Sequence, residues 1–379
     1  MHIRDFVSDS YIQTVLDSLN YLKKLGVNVV ELMPINEFEG NDSWGYNPSF
    51  YFAADKAYGT PNDYKAFIDE AHRLGMAVVI DMVFNHSFGQ SPLVQMYSNS
   101  DGTSLGTPTA NNPWYNVTCP HPPYCWGYDF NHQSTETRTF MDSVLTYWLT
   151  EYKVDGFRFD FTKGFTNTPN AGSAYDAPRI SNLKRFADKI WSVNSNAYVI
   201  LEHFCDNTEE KSLADYGMLI WGNINSAYNE ATMGWLTNSN FANVTAKQRG
   251  WSNPNLVGYM ESHDEERLMF KNITYGNSTN PEHDVKNLTV GLKRVELAAN
   301  FFIPLPGPKM IWQFGEVGYD VSIEYNGRTG RKPIPWNYYE PDDRRGVFNA
   351  FAHLNRLKQD YEVFSTTNYD YSLSGAKKW

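Results

Sequence analysis

Residues 76–84 read Met76-Ala-Val-Val-Ile-Asp-Met-Val-Phe84, an apolar run interrupted by a single acid. A strand that is hydrophobic along its whole length is covered on both faces, as in a parallel sheet packed between helices. Just upstream, Thr60-Pro61-Asn62-Asp63 opens a helix with proline at the first helical position, and Gly75 ends it. The same helix-then-strand unit recurs in both directions. Toward the N-terminus, Val15, Leu16, Leu19, Leu22 and Leu25 recur at three- and four-residue steps and predict a helix over 8–25. Gly26 ends it, and residues 27–34 follow as an apolar strand. Downstream, a helix over 135–152 precedes a strand over 154–161, and a helix over 178–194 precedes a strand over 197–202. Strands follow at 217–221 and 256–261. A helix over 285–302 then precedes a strand over 309–314, and a helix over 344–360 closes the series. With a strand at Met1–Phe6 the count is eight. Eight βα units predict an α/β fold whose parallel sheet closes into a (β/α)8 barrel.

Two intervals break the rhythm. Residues 86–133, rich in Gly, Pro, Asn and Ser, separate the third strand from its helix. Residues 315–343 form a second long loop after the last strand. Loops longer than about 12–15 residues in a compact domain are usually functional, and barrel enzymes build their sites at the C-terminal rim of the strands. The predicted organisation is therefore a barrel of residues 1–85 and 134–360, with an inserted loop subdomain at 86–133. Residues 361–379 alternate polar and aromatic side chains and read as the start of a C-terminal β domain that the chain largely lacks.

The 379 residues carry 32 Lys and Arg against 43 Asp and Glu, a net charge of −11 at pH 7. Such a chain repels phosphate, which argues against nucleic acid and anionic membranes as partners. No apolar run approaches the ~18 residues of a membrane span. Aromatic residues make up 16%, more ring surface than a disordered chain would carry. Three cysteines exclude a disulfide scaffold. Cys119 and Cys125 bracket a proline-rich loop that admits a local disulfide, a metal site with His121 or His132, or two free thiols; Cys205 reads as a small buried side chain. The N-terminal residues do not form a signal peptide. Location is left open, with a secreted or periplasmic one favoured; the oligomeric state is also left open.

The strands end in ionisable residues. The third offers Asp81 and then Asn85 and His86, the fourth Arg158 and Asp160, the fifth Glu202 and His203, the seventh Glu261, His263 and Asp264. Asp160 and Glu202 are 42 residues apart, about one βα unit, and Glu202 and Asp264 are 62 apart, about two. At ~31 residues per unit these side chains fall on one rim of a barrel. Acids gathered there repel one another, and glycoside hydrolysis, which needs a carboxylate nucleophile and a carboxylic acid, is one reason to gather them. Divalent-metal binding is another. Taken singly, Asp81 reads equally well as a structural acid, and Arg158 with Asp160 as a structural ion pair on one face of a strand.

The motifs Asp81-Met-Val-Phe-Asn-His86, Gly156-Phe-Arg-Phe-Asp-Phe-Thr-Lys163, Val199-Ile-Leu-Glu202 and Glu261-Ser-His-Asp264 stand in the order of four signature regions of the α-amylase family of glycoside hydrolases, which the chain resembles. Trp44-Gly-Tyr-Asn-Pro48 and Gly307-Pro-Lys-Met-Ile-Trp-Gln-Phe-Gly315 resemble two further regions. The resemblance implies that Asp160 is the nucleophile, Glu202 the general acid/base and Asp264 the third acid. Arg158 would hold Asp160 ionised, His86 and His263 would bind hydroxyls of the reacting sugar, Tyr46 would stack beneath it, and Lys163 would contact the leaving-group side. Glu202 must hold a proton until it meets the glycosidic oxygen, and the expected source of that bias is the charge of Asp160 and Asp264. Retention of configuration implies a carboxyl separation of about 5–5.5 Å. A structural Ca²⁺ is implied at Asn85, Asp129 and the carbonyl of Gly164, where the family usually has His; no organic cofactor is implied. The β-sandwich that usually follows the barrel is largely missing.

The function expected is retaining, endo-acting hydrolysis of α-1,4-glucosidic bonds in starch, glycogen or maltooligosaccharides. The alternative is a glucan-branching, transferase or α-1,6-debranching member of the same family. A non-catalytic glucan-binding relic and a metal-dependent hydrolase using Asp81, His86 and His263 are the competing classes.

Overall fold

The computed structural model describes residues 1–241, 243–373 and 375–379. The described chain divides into two compact units, Met1–Leu19 with Asn28–Ile220, and Asn20–Val27 with Trp221–Trp379.

In the first unit the strand Ala77–Met82 pairs in parallel with Val29–Leu32 on one side and Gly156–Phe159 on the other. Tyr198–Leu201 follows Gly156–Phe159, and Leu219 and Ile220 extend the sheet, all in parallel. Val78, Val79 and Ile80 have no solvent exposure, as a strand covered on both faces requires. Helices Pro61–Arg73, Thr135–Tyr147, Ala177–Val193 and Asn207–Tyr216 alternate with these strands. Pro61–Arg73 begins as its sequence demands. The Thr60 hydroxyl accepts from the Asp63 N–H while the Asp63 carboxylate accepts from the Thr60 N–H, which satisfies two otherwise orphaned donors. Gly156 sits at φ +154°, where a Cβ would lie 2.2 Å from the Tyr198 carbonyl oxygen. Only glycine lets these strands approach so closely just before Arg158.

The inserted residues 86–133 are tied back by a two-residue antiparallel pairing of His86–Ser87 with Tyr128–Asp129 and by a Cys119–Cys125 disulfide. Of the three fates open to these thiols, the structure has the local disulfide. A short antiparallel pair, Asn36–Phe38 with Pro48–Ala54, was not foreseen from periodicity. Cys205 is half-buried rather than buried.

In the second unit the end of strand Leu219–Asn223 is followed by Leu256–Tyr259, which pairs in parallel with Lys309–Met310. Helices Asn225–Met233, Leu268–Tyr275, Leu288–Phe302 and Asp342–Asp360 complete it. The Asn355 amide donates to the Leu25 carbonyl at 2.9 Å, holding the segment Asn20–Val27 to the last helix.

Three expectations need correction. Met1–Phe6 is not a strand but holds a 3₁₀ turn at Ile3–Asp5. The Asp5 carboxylate accepts from the His2 ring at 3.0 Å and from Arg4 Nε at 3.0 Å, local bonds that favour a turn over an extended backbone. Only Met1 keeps a strand-like contact, its carbonyl accepting from the Met33 N–H at 2.9 Å. The last strand is Lys309–Met310 rather than 309–314, because Phe314 takes φ +67° and the chain turns there. The tail 361–379 contains a 3₁₀ turn at Glu362–Ser365 and no strand among its described residues. No helix among the described residues is long and apolar enough to cross a membrane.

Candidate active site

Parallel register sets the centre of the first unit's site. Asp81 stands opposite Arg158 on the neighbouring strand, and Arg158 Nη1 donates to both carboxylate oxygens of Asp81 at 2.7 Å. Asp160 lies two residues beyond Arg158, hence on the same face, with Oδ1 3.2 Å from Nη1. The next strand continues the ladder. The Asp160 N–H donates to the Met82 carbonyl and the Glu202 N–H to that of Phe159. Glu202 Oε2 consequently lies 2.9 Å from Arg158 Nη2. One guanidinium with no solvent exposure thus meets three carboxylates. Burial works against its charge, but Asp81, Tyr46, Glu202 and Asp160 outweigh that and push its pKa well above the usual arginine value.

Tyr46 donates its hydroxyl to Asp81 Oδ2 at 2.7 Å. Burial, then the Asp81 charge, pushes that phenol well above its ordinary range. His86 Nε2 lies 2.9 Å from the Tyr46 carbonyl, an acceptor only, so Nε2 carries the proton. Nδ1 then accepts from the Asn85 amide at 3.1 Å. Burial lowers the His86 pKa to about 4, so the ring is neutral with both nitrogens engaged.

Glu202 Oε2 also accepts from the Phe161 N–H at 2.9 Å, and its carbonyl accepts from the Thr162 N–H at 2.9 Å. Within this unit the Glu202 carboxyl therefore meets an amide N–H and the same guanidinium that Asp160 touches. Behind it, the Thr162 hydroxyl lies 2.9 Å from His203 Nδ1, and His203 Nε2 lies 2.9 Å from Glu209, which Arg179 grips with Nε and Nη2. Phe161 and Phe204, one residue after Asp160 and two after Glu202, both hold the left-handed region, at φ +44° and +51°. Such backbone costs of order 1–3 kcal/mol per residue and persists where the surroundings over-determine it; this network is that surrounding. His203, Cys205 and Glu209 are close enough together to hold a metal, but Glu209 is already bonded to Arg179 and His203.

Of the residues expected at Ca²⁺, Asn85 Oδ1 and Asp129 Oδ1 are buried without a hydrogen-bond partner. A Cβ on Gly164 would fall 1.8 Å from Asn85 Oδ1, so only glycine fits against that oxygen. Burial raises the Asp129 carboxyl to about 7, against a smaller opposing effect of Asn116. Two buried oxygens without a hydrogen bond, one of them a carboxylate's with His121 Nε2 3.8 Å away, fit a hard cation. Lys163 Nζ lies 5.9, 5.6 and 5.8 Å from the rings of Tyr124, Phe161 and Phe204.

In the second unit, residues after the strand Leu256–Tyr259 supply His263 and Asp264. His263 Nε2 is 3.2 Å from Asp264 Oδ2. Arg328 Nη2 donates to the Asp264 carbonyl at 2.6 Å and lies 3.2 Å from Oδ1. Trp221 and Trp312 stand 6.4 and 6.1 Å from the His263 ring. Glu261 is buried, which raises its pKa, and accepts from the Leu268 N–H at 2.6 Å. Sequence reasoning did not find Arg328 or the Thr162–His203–Glu209–Arg179 chain. Arg328 lies 64 positions from Asp264 in a long loop, with no periodicity to mark it.

The family model for the alpha-amylase catalytic domain matches residues 9–133. Malto-oligosyltrehalose trehalohydrolase of Saccharolobus solfataricus is 27% identical over 356 residues, 86% of this chain and 57% of that protein. The 1,4-alpha-glucan branching enzyme GlgB of Oceanobacillus iheyensis is 24% identical over 372 residues, 93% of this chain and 55% of that protein. The chain spans a little over half the length of these two curated relatives. Among solved structures, Eubacterium rectale Amy13B aligns with a TM-score of 0.74 at 18% identity, covering 97% of this chain and 78% of that one. The fold is that of the (β/α)8 barrel.

Proposed function

We propose that the chain, which is similar to the α-amylase family of glycoside hydrolases, is a retaining, endo-acting hydrolase of α-1,4-glucosidic bonds in starch, glycogen or maltooligosaccharides. The observation that carries this reading is the contact of one buried guanidinium with both Asp160 and Glu202. Two carboxyls sharing one arginine can flank a single anomeric carbon. Arg158 favours the ionised form of Asp160 that a nucleophile needs. Glu202 passes its proton to the glycosidic oxygen while Asp160 attacks the anomeric carbon and the leaving sugar departs. Glu202, now a carboxylate, takes a proton from water, whose oxygen displaces Asp160, and configuration is retained. Asp264 takes the third-acid role, with His263 beside it. Tyr46 and His86 serve the reacting sugar, and Lys163 the leaving side. A structural Ca²⁺ held by Asn85, Asp129 and the Gly164 carbonyl would tie the inserted loop to the strand ends.

Replacing Asp160 with Ala tests the assignment. Turnover of maltoheptaose is expected to fall about 10⁴-fold or more; activity within tenfold of the parent would sink it. Retention itself is read by NMR, as the α-anomer of the new reducing end in the first turnovers.

The second reading is glucan transfer, favoured by the branching enzyme among the relatives. There a sugar hydroxyl, not water, displaces Asp160. Product analysis on amylose, pullulan and branched glucan separates the readings. New branch points without new reducing ends identify a branching enzyme, and cleavage of pullulan at its α-1,6 bonds a debranching one.

A further inference from the structure

The long loop after the strand Lys309–Met310 is anchored at two points. The Glu266 carboxylate accepts from the Ser322 hydroxyl at 2.7 Å and from the Ile323 N–H at 2.9 Å. The Tyr319 hydroxyl donates to the Pro333 carbonyl at 2.6 Å. Between these anchors residues 324–329 are all exposed, so burial of apolar surface cannot shape them. They nevertheless curl into a ring. Asn326 and Gly327 take the left-handed region, at φ +56° and +76°. The N–H groups of Gly327 and Gly330 donate back to the carbonyls of Glu324 and Gly327. Half-buried Lys332 fills the ring. Its Nζ donates to the carbonyls of Tyr325, Gly327, Arg328 and Gly330 at 2.8, 2.7, 3.1 and 2.9 Å.

A lysine on the last free carbonyls of a helix is ordinary capping. Here four carbonyls of one short segment turn onto a single ammonium, which has three donors and no acceptor. Rings of backbone carbonyls hold bare monovalent cations in the same way, and in this loop the chain supplies the cation itself. One of the four carbonyls belongs to Arg328, whose side chain leaves the ring for Asp264. Arg328 Nη2 donates to the Asp264 carbonyl at 2.6 Å and lies 3.2 Å from Oδ1. One nitrogen thus grips both the main chain and the carboxylate of a single residue, which selects one rotamer for it. His263 Nε2 faces the other oxygen, Oδ2, at 3.2 Å. Both oxygens are oriented, and each keeps a lone pair for a sugar hydroxyl.

We propose that Lys332 is a built-in cation that shapes residues 324–332 and, through Arg328, aims the Asp264 carboxylate at the reacting sugar. Lys332 and Arg328 are positioning residues that act through Asp264. This rests on the reading of Asp264 as the third acid.

The test is steady-state turnover of maltoheptaose by the full chain. Lys332→Ala and Arg328→Ala are each expected to lower kcat about 10- to 100-fold with KM within about threefold of the parent, because the third acid acts in the transition state. The double variant should lose no more than about twofold beyond either single one, since both residues serve one contact. Propylammonium replaces the atoms deleted in Lys332→Ala. It should raise the kcat of that variant at least about fivefold and leave Arg328→Ala unchanged, and uncharged propanol should do neither. Lys332→Met keeps an apolar stem without the charge and serves if the alanine variant does not fold; it should show the same loss and the same non-additivity. A kcat within about twofold of the parent for the Lys332 variant, losses that multiply in the double variant, or a loss that propylammonium repairs no better than propanol overturns the inference. Failure of the underlying reading looks different: Asp264→Ala would then turn over maltoheptaose like the parent.

Discussion

Arg158 has no contact with water and is bonded to Asp81 while touching Asp160 and Glu202. Its removal would leave three carboxylates facing one another in a desolvated pocket. Breaking a buried charge cluster by deleting one partner costs about 3–5 kcal/mol. Arg158→Ala is therefore expected to lose stability on that scale in urea unfolding at pH 7, with activity falling as well. Arg158→Lys restores a charge but not the flat fork that reaches Asp81 and Glu202 from different nitrogens, so it should recover part of the stability and little of the turnover. A loss below 1 kcal/mol for the alanine variant would show that Arg158 is not what offsets these acids. Asp81, Arg158, Asp160 and Glu202 were all legible as residues in the chain. That one guanidinium would meet Asp81, Asp160 and Glu202 together was not. Strand register, which sequence spacing does not determine to the residue, put Arg158 there.

At the scale of elements, the segment Asn20–Val27 docks through Tyr21, whose hydroxyl donates to Glu316 Oε1 at 2.6 Å in the turn Gly315–Val317. The Tyr21 ring packs against Trp336 and Phe348 at 5.1 and 4.9 Å. Burial lifts the Glu316 carboxyl to about 7, against smaller opposing bonds from Tyr21 and backbone N–H groups. A folded-state pKa above the unfolded one stabilises fully below the unfolded value, and the contribution is lost as pH rises through the folded value. Glu316 thus costs the fold stability between pH about 4.5 and 7, on the order of 3 kcal/mol. Glu316→Gln retains an acceptor for Tyr21 and no longer titrates. Its stability relative to the parent should rise across that window and level off above it; a flat difference from pH 4 to 8 would refute the argument. Periodicity found the long helices such as Ala177–Val193 and Asp342–Asp360, because their apolar faces repeat over many turns. It missed Asn207–Tyr216, Asn225–Met233 and Leu268–Tyr275, which are short, and it extended Met1–Phe6 where local side-chain bonds enforce a turn.

At the scale of the whole molecule, the net charge of −11 is a property of composition alone. It predicts retention on an anion exchanger at pH 7 and none on heparin at about 50 mM salt. Binding to heparin would point to a basic face that composition hides. By itself the sequence determined the alternation of helices with doubly buried strands, the strand ends at which acids gather, and the motif order that marks the family. Each is written in a local period or in a short contiguous run of residues. Tertiary structure alone decided that Arg158 meets both Asp160 and Glu202, that Cys119 bonds Cys125, that Arg328 pairs with Asp264, and that four carbonyls of one loop converge on Lys332. These partners lie up to 64 positions apart or sit in loops without periodicity. Their meeting depends on register, backbone turns in the left-handed region and side-chain packing, none of which a one-dimensional pattern encodes.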